Sequence, residues 1–257
     1  MILYLIVALL ATLLGSAAGM GGGVIIKPVM DLLGDYNVTE ISVFASVTVL
    51  CMALFSTIRQ ISKGFKVTPV LIAVTVGAVL GGVFGSLLLS KLIVSIDADI
   101  VTAVQSLILF FLLLVCLFYH KFSHRHVSSP VLVGIIGAAL GMFSSFLGIG
   151  GGPINVAVLG IFLSLELRQS ARASVFIILF SQAAGILTKA ASGVLSQVPD
   201  YSVLIVMVPA AIIGGLLGAK LNHSASDKSI TWMYRISVLL VMLICIYNFY
   251  SAVTPAL

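Results

Sequence analysis

Long apolar runs dominate the sequence, and they decide what kind of fold the chain can adopt. They fall at about 2–18, 39–60, 67–90, 99–119, 130–147, 170–190, 200–221 and 230–253. Each is close to the roughly 20 residues with which a helix crosses a bilayer, and none shows the alternation of a β-barrel strand. Only 8% of the 257 residues are charged, against about 25% in soluble domains. We therefore predict an all-α membrane protein with about eight transmembrane helices.

Composition also excludes several classes of function. Cys51, Cys116 and Cys245 lie inside apolar runs without a CxxC pattern, so neither a disulfide framework nor a metal site is predicted. No Ser/His/Asp set or carboxylate pair lies at membrane depth, so an enzyme is not predicted. We find no cofactor motif and no basic face for nucleic acid. The lipid bilayer is the partner that this composition requires.

Two apolar segments are too short to cross a membrane. They cover 24–34 and 153–163, and each directly follows a cluster of glycines. A helix, a glycine break and a half-length helix are typical of broken or re-entrant elements, which occur at membrane depth only inside protein or along a cavity. We therefore predict glycine-broken or re-entrant segments after the first and fifth spanning helices.

An internal repeat organises the chain. Its first match pairs Gly19-Met-Gly-Gly-Gly-Val-Ile25 with Gly148-Ile-Gly-Gly-Gly-Pro-Ile154. Two later matches follow in the same order, Ala45-Ser46-Val47 with Ala173-Ser174-Val175, and Gly81-Gly-Val-Phe-Gly85 with Gly214-Gly-Leu-Leu-Gly218. The prediction is one membrane domain over 1–257, with homologous four-helix repeats at 1–119 and 130–257 and a basic connecting loop at 120–129. Whether the repeats are parallel or inverted stays open.

The doubled GxGGG motif resembles the sulfite exporter TauE/SafE family of membrane transporters. Pro28 after the first copy and the Ala-Ser-Val segment in the next helix add to the resemblance, which covers nearly the full length. It implies secondary transport, usually export, of small sulfur-containing anions such as sulfite, thiosulfate or sulfonates. The second copy departs from the pattern, because Ala157 stands where Pro28 stands in the first. A small-anion channel and an importer of sulfur compounds are the alternatives.

The glycine breaks are the predicted anion site. A half-helix that starts after such a break directs unpaired N–H groups and its positive dipole end toward the break, which attracts anions. Helix packing is the alternative for glycines in membranes, and we favour it for Gly81, Gly85, Gly214 and Gly218. The candidate substrate-binding residues are Gly19, Gly21, Gly22, Gly23, Lys27, Ser46, Gly148, Gly150, Gly151, Gly152, Asn155, Arg172, Ser174 and Gln182.

Charged residues have two interpretations in this sequence. Lys27 and Arg172 either face the anion or extend to the membrane interface beside Asp31 and Glu166, since a charge at membrane depth needs a cavity or a partner. Lys189 and Arg235 are predicted to be interfacial.

Membrane orientation is predicted from the basic residues. Their distribution places both termini and the loop with Lys121, His124, Arg125 and His126 in the cytoplasm, and the expected location is a bacterial cytoplasmic (inner) membrane. Coupling to a proton or another ion stays open, as does the oligomeric state.

Overall fold

Glycines and polar turns divide the chain into short and long helices. The computed structural model describes residues 1–118, 127 and 129–254, so the predicted loop residues Lys121, His124, Arg125 and His126 lie outside the described residues. The described part is all-helical, with a single 3-10 turn at Leu195–Gln197 and no strand. Its helices are α1 (Ile2–Ala18), α2 (Gly23–Leu33), α3 (Val38–Ser62), α4 (Pro69–Ser95), α5 (Ala98–Leu117), α6 (Pro130–Phe146), α7 (Gly152–Leu163), α8 (Leu167–Ala191), α9 (Ser202–Ser224) and α10 (Asp227–Val253).

Six helices in the described residues are long and apolar enough to cross a membrane, and they are α3, α4, α5, α8, α9 and α10. The other two predicted spans, α1 and α6, form helices of 17 residues each. They are shorter than the roughly 20 residues of a full span because the glycine-rich segments end them. Side chains such as Phe84, Ile205 and Leu243 are strongly exposed on the outside of the bundle, as expected for an integral membrane protein whose outer surface contacts lipid.

The predicted half-length segments form α2 and α7, of 11 and 12 residues. Each is separated from the preceding helix by glycines with positive φ, such as Gly22 at 67° and Gly151 at 107°. Glycine adopts this backbone without the steric cost that a Cβ brings. Each pair of helices is therefore broken sharply and does not form one long helix.

Both half-helices return the chain toward the point where the preceding helix began. The Tyr4 hydroxyl near the start of α1 donates a hydrogen bond to Asp35, just after α2. In the second half, the Val127 amide before α6 donates to the Phe162 carbonyl near the end of α7 at 2.9 Å. The elements α1–α2 and α6–α7 are therefore helical hairpins with a glycine tip.

Hydrogen bonds between helices establish their directions. Ser16 near the end of α1 contacts Ser56 in the last third of α3 at 2.9 Å, and Asn222 near the end of α9 donates to the Ala17 carbonyl. The helices α1, α3 and α9 therefore run in the same direction. Lys189 near the end of α8 instead contacts Ser46 near the start of α3, so α8 is antiparallel to α3.

The directions of the remaining helices follow from their contacts with neighbouring helices. Glycines of α4 face residues of α6 in rising order, with Gly77 opposite Gly134 and Gly85 opposite Met142, so these helices are parallel. Gln105 in the first half of α5 donates to the carbonyl of Phe146 at the end of α6. Accordingly α1, α3, α5 and α9 point one way, and α4, α6, α8 and α10 point the other.

These directions define two ends of the bundle. End A holds Ile2, Val38 and Val253, and end B holds Ser62, Leu117 and Pro130. The sequence predicts one membrane side for the termini and the 120–129 loop. The described residues that flank the loop lie instead at end B, opposite Ile2 and Val253. The reason is the α1–α2 hairpin, which returns the chain to end A and reverses every later connection in the first half.

Charges divide between the two ends. Of the eleven described lysines and arginines, eight lie toward end B, namely Arg59, Lys63, Lys66, Arg168, Arg172, Lys220, Lys228 and Arg235. Lys27, Lys91 and Lys189 lie toward end A, and two of these, Lys27 and Lys189, are buried. Six of the eight acidic residues also lie toward end A, namely Asp31, Asp35, Glu40, Asp97, Asp99 and Asp200.

Two glycine-mediated interfaces join the halves, because α1 packs mainly on α9 and α4 packs mainly on α6. A Cβ added to Gly81 would lie 1.8 Å from the Ala138 carbonyl oxygen, and one added to Gly218 would lie 2.3 Å from that of Leu13. Such backbone contact is what small residues allow between membrane helices. The predicted packing role of Gly81, Gly85, Gly214 and Gly218 is confirmed.

Candidate functional site

The two glycine breaks meet in the interior of the protein. A Cβ built on Gly23 would lie 2.3 Å from the Ile149 carbonyl oxygen, and one on Gly152 would lie 3.5 Å from that of Met20. Every residue from Gly19 to Gly23 and from Gly148 to Gly152 is buried. Segments that are 129 positions apart in the sequence thus form one central contact between the hairpin tips.

Main-chain amides in both breaks lack protein partners. Within the described residues, the amides of Gly22 and Val24 donate no hydrogen bond, and neither do those of Gly151 and Gly152. Buried N–H groups in proteins are nearly always paired. These amides stand at the first turns of α2 and α7, where the helix dipole is positive, so the centre is able to accept negative charge.

Asn155 adds a side chain to the second break. It is 1% exposed, its Oδ1 has no hydrogen-bond partner among the described residues, and its Nδ2 lies 2.4 Å from a Cβ built on Gly151. Gln182 is also buried, and its Nε2 lies 3.3 Å from a Cβ built on Gly150. Both amide side chains therefore lie against the break, as the prediction of a common site requires.

Ser46 and Ser174 match across the repeat but make different contacts. The Ser174 hydroxyl donates to the Gly19 carbonyl at 2.6 Å and so holds the first break. The Ser46 hydroxyl donates to its own helix at Ser42 and accepts a hydrogen bond from Lys189. One serine thus supports the glycine backbone, whereas the other belongs to a charged cluster.

Lys27 is enclosed in protein. It is 3% exposed and forms an ion pair with Asp31 at 3.1 Å, one helical turn away. Its Cε lies 3.1 Å from a Cβ built on Gly148. The pairing with Asp31 is confirmed, whereas an interfacial position for Lys27 is excluded by this burial.

Lys189 is the residue that sequence reasoning missed. The prediction of an interfacial lysine is wrong, because Lys189 is only 6% exposed and its ammonium donates three hydrogen bonds inside the protein. Its ammonium donates to the Ser42 carbonyl at 2.8 Å, to the Ser42 hydroxyl at 2.9 Å and to the Ser46 hydroxyl at 2.7 Å. Its place two residues before the end of α8 carries no local signal, since the enclosing serines come from the other half.

Arg172 lies apart from the breaks. Its Nε donates to the Asn222 side chain at 2.9 Å, and its side chain lines a cavity of about 570 Å³ toward end B. That cavity is bounded mainly by apolar residues, with Lys66 as a second cation. Arg172 therefore bonds to Asn222, and Glu166 is not its partner in the described residues.

A second cavity opens at end A, and its charged lining residues are acidic instead of basic. It encloses about 330 Å³ and is lined by Asp31, Asn37, Asp99 and Asn248 among others. A small void of about 10 Å³ lies deeper, beside Lys27, Asp31, Gln105 and Ile149. Asp31 borders both spaces, so the Lys27–Asp31 pair separates the cavity at end A from the central contact.

Comparisons with known proteins give a family match and partial matches to two individual proteins. The family model described as "Sulfite exporter TauE/SafE" matches residues 4–247. "Probable membrane transporter protein YunE" of Bacillus subtilis is 30% identical over 117 residues, which cover 45% of this chain and 41% of that protein. "Probable membrane transporter protein MamO" of Magnetospirillum gryphiswaldense is 26% identical over 109 residues, covering 41% of this chain and 17% of that protein.

The matched segments thus span less than half the length of either relative. No solved structure matches the chain. The family match, in contrast, extends over nearly the whole chain. It includes both glycine breaks, five of the six helices that are long enough to span a membrane, and α10 up to residue 247. On this match, the chain belongs to the sulfite exporter TauE/SafE family of membrane transporters.

Proposed function

We propose that this protein is a secondary transporter, acting as an exporter, of small sulfur-containing anions such as sulfite, thiosulfate or sulfonates. The anion binds between the two GxGGG breaks. The observation that carries the proposal is the meeting of the breaks in the interior, where the buried amides of Gly22, Val24, Gly151 and Gly152 have no hydrogen-bond acceptor among the described residues. Such amides at helix N-termini hold anions without a cationic side chain at contact distance.

The unpaired donors at this centre, together with the family, support the proposed substrate class. The unpaired main-chain groups are hydrogen-bond donors. Asn155 adds its Nδ2 donor beside the same break, whereas its Oδ1, which has no partner among the described residues, is an acceptor. Several donors around one small space suit the oxygens of a sulfur oxyanion better than a halide, because each oxygen accepts its own hydrogen bonds. Family membership supports sulfite and its relatives as the first candidates.

We further propose that the chain consists of two inverted repeats of equivalent helices, α1–α5 and α6–α10. Four of the five helices in each repeat are the predicted spans, and the fifth is the half-helix. The pairing of α1 with α9 mirrors that of α6 with α4, and the partners α3 and α8 run antiparallel. A two-fold axis in the membrane plane generates these relations and would place the site at the repeat interface, as in other transporters.

The close contact of the breaks suggests how transport proceeds. Backbone atoms of the hairpin tips touch, so an anion enters only when the α1–α2 and α6–α7 hairpins separate. The cavities at ends A and B lie on opposite sides of this contact. Rocking of one repeat against the other would open the site to each cavity in turn, which is alternating access.

We propose that end B faces the cytoplasm and that both termini lie outside it, in a bacterial inner membrane. Cytoplasmic segments of membrane proteins carry an excess of Lys and Arg, and eight of the eleven described basic residues lie toward end B. An anion leaving from end B to end A would move down the inside-negative potential, which contributes about 2.3 kcal/mol per charge at 100 mV.

The experiment that tests the function is uptake by purified protein in proteoliposomes. Sulfite, thiosulfate, sulfate and several sulfonates are compared with and without a proton gradient. Saturable flux of one or more sulfur anions supports the transporter. Unsaturable flux driven only by voltage would favour a channel, and starvation of a deletion strain for sulfur, rather than sensitivity to sulfite, would favour an importer.

A further inference from the structure

We propose that Lys189, with Ser42 and Ser46, is the part of the anion site that recognises charge, and that it favours singly charged anions, such as hydrogensulfite and sulfonates, over dianions such as thiosulfate. This inference rests on the proposed function and deepens it. Inside the bundle, the Lys189 ammonium donates its hydrogen bonds, among the described residues, to three neutral oxygens of Ser42 and Ser46. A buried charge without a counterion is costly in a membrane protein and marks a place where charge is bound.

The cluster adjoins the second glycine break. The Ser42 hydroxyl, which accepts from Lys189, lies 3.4 Å from a Cβ built on Gly148, and the Lys27 Cε lies 3.1 Å from that same point. Gly148 opens the segment whose last residues carry the unpaired amides. Lys189 therefore stands beside the proposed anion position although the sequence places it far from both breaks.

The charges around Gly148 determine which anions the site accepts. Lys27 and Lys189 contribute two positive charges, and the Lys27–Asp31 ion pair at 3.1 Å cancels one of them. Within the described residues, the other ion pair joins Arg168 to Asp227 at the protein surface, so no carboxylate pairs with Lys189. One positive charge remains, and an anion of one negative charge neutralises it, whereas a dianion would leave a buried negative charge.

The serine hydroxyls allow this exchange without loss of hydrogen bonds. An ammonium has three donors, and Lys189 currently directs all three at Ser42 and Ser46. A hydroxyl both accepts and donates. An arriving anion takes the ammonium donor that now points at the Ser42 carbonyl, which keeps its hydrogen bond from the Ser46 hydroxyl. Both hydroxyls continue to accept from Lys189, and the Ser42 hydroxyl turns its hydrogen toward the anion.

The test measures competition against sulfite uptake in proteoliposomes by methanesulfonate, which has one charge, and by sulfate, which has two. We expect methanesulfonate to inhibit the wild type at a concentration about tenfold or more below that of sulfate. Asp31→Asn removes the negative charge that cancels the positive charge of Lys27. The net positive charge at the site therefore rises from one to two, and the anion preference of the protein should move toward sulfate. Lys189→Met should weaken inhibition by both anions, and Lys220→Met, an exposed lysine in α9, is the matched control.

The test does not depend on whether Lys189→Met folds. If Lys189→Met does not reach the membrane, Ser46→Ala removes one contact of the ammonium and should raise the sulfite concentration for half-maximal uptake about fivefold at unchanged maximal flux. An unaltered anion preference in Asp31→Asn, or wild-type concentration dependence in Lys189→Met, would overturn the assignment while leaving sulfite transport intact. A wild-type protein that moves no sulfur anion would instead overturn the proposed function and this inference with it.

Discussion

Lys189 Nζ lies 2.7 Å from Ser46 Oγ, although 143 positions separate the two residues. The contact exists because α8 runs antiparallel to α3, so that the end of one helix meets the start of the other. It joins the two halves of the chain beside the central contact of the glycine breaks. A buried lysine therefore contacts Ser42, whose hydroxyl lies 3.4 Å from a Cβ built on Gly148 at the start of the second break.

Replacing the glycines at the starts of the half-helices should abolish transport. Gly22 and Gly151 have φ of 67° and 107°, and a left-handed backbone costs a residue with a Cβ about 1–2 kcal/mol. Gly22→Leu and Gly151→Leu should lower sulfite flux by about 100-fold or more while the proteins still insert. Gly134→Ala is the control, because the nearest atom to its added Cβ is 4.0 Å away. Normal flux in both leucine variants would remove the breaks from the site.

Breaking the Lys27–Asp31 ion pair should destabilise the protein. Both side chains are nearly buried, at 4% and 8% exposure, and losing one partner of a buried pair costs about 3–5 kcal/mol. Lys27→Met should show this loss in the free energy of unfolding, measured by denaturant titration in detergent micelles. The double variant Lys27→Met/Asp31→Asn should recover most of it, and equal losses in the single and double variants would contradict a coupled pair.

Ser174→Ala should affect stability and leave substrate affinity unchanged. The Ser174 hydroxyl satisfies the buried Gly19 carbonyl at 2.6 Å, and an orphaned buried acceptor costs about 1–3 kcal/mol. Thermal unfolding of the purified variant should shift downward, with an unaltered half-saturation concentration for sulfite. A large rise in that concentration without a change in unfolding would instead place Ser174 in contact with the anion.

The glycine interface between α4 and α6 should not tolerate a methyl group. A Cβ on Gly81 or Gly141 would lie 1.8 or 1.9 Å from a carbonyl oxygen of the facing helix, so the helices must separate. Gly81→Ala and Gly141→Ala should each cost about 1–3 kcal/mol, read as lowered thermal stability. Gly185→Ala, whose added Cβ is 3.8 Å from its nearest neighbour, should unfold like the wild type.

Cysteine labelling tests the orientation of the bundle. In a variant without its native cysteines, Lys63→Cys at end B and Asp97→Cys at end A are treated with a membrane-impermeant maleimide in intact cells. The excess of basic residues toward end B predicts that Asp97→Cys reacts and that Lys63→Cys reacts only after lysis. The reverse pattern would place the termini in the cytoplasm.

Local features of the sequence predicted the helices and the breaks. Hydropathy indicates a helix because each run is long and apolar enough to form a helix in the bilayer. The glycine clusters indicate breaks because glycine permits positive φ at the break itself. The expected half-helices at 24–34 and 153–163 accordingly appear as α2 (Gly23–Leu33) and α7 (Gly152–Leu163). The small residues Gly81 and Gly218 likewise carry a packing signal in their spacing.

Helix direction and the partners of charged residues depended on the tertiary structure. The α1–α2 hairpin reverses the chain, and hydropathy does not distinguish a segment that returns from one that crosses. Arg172 binds Asn222, and Lys189 binds Ser42 and Ser46, because helices distant in the sequence pack side by side. Sequence by itself determined where helices start and break, since those are local properties, whereas the composition of the charged site arose from contacts between halves that no local pattern encodes.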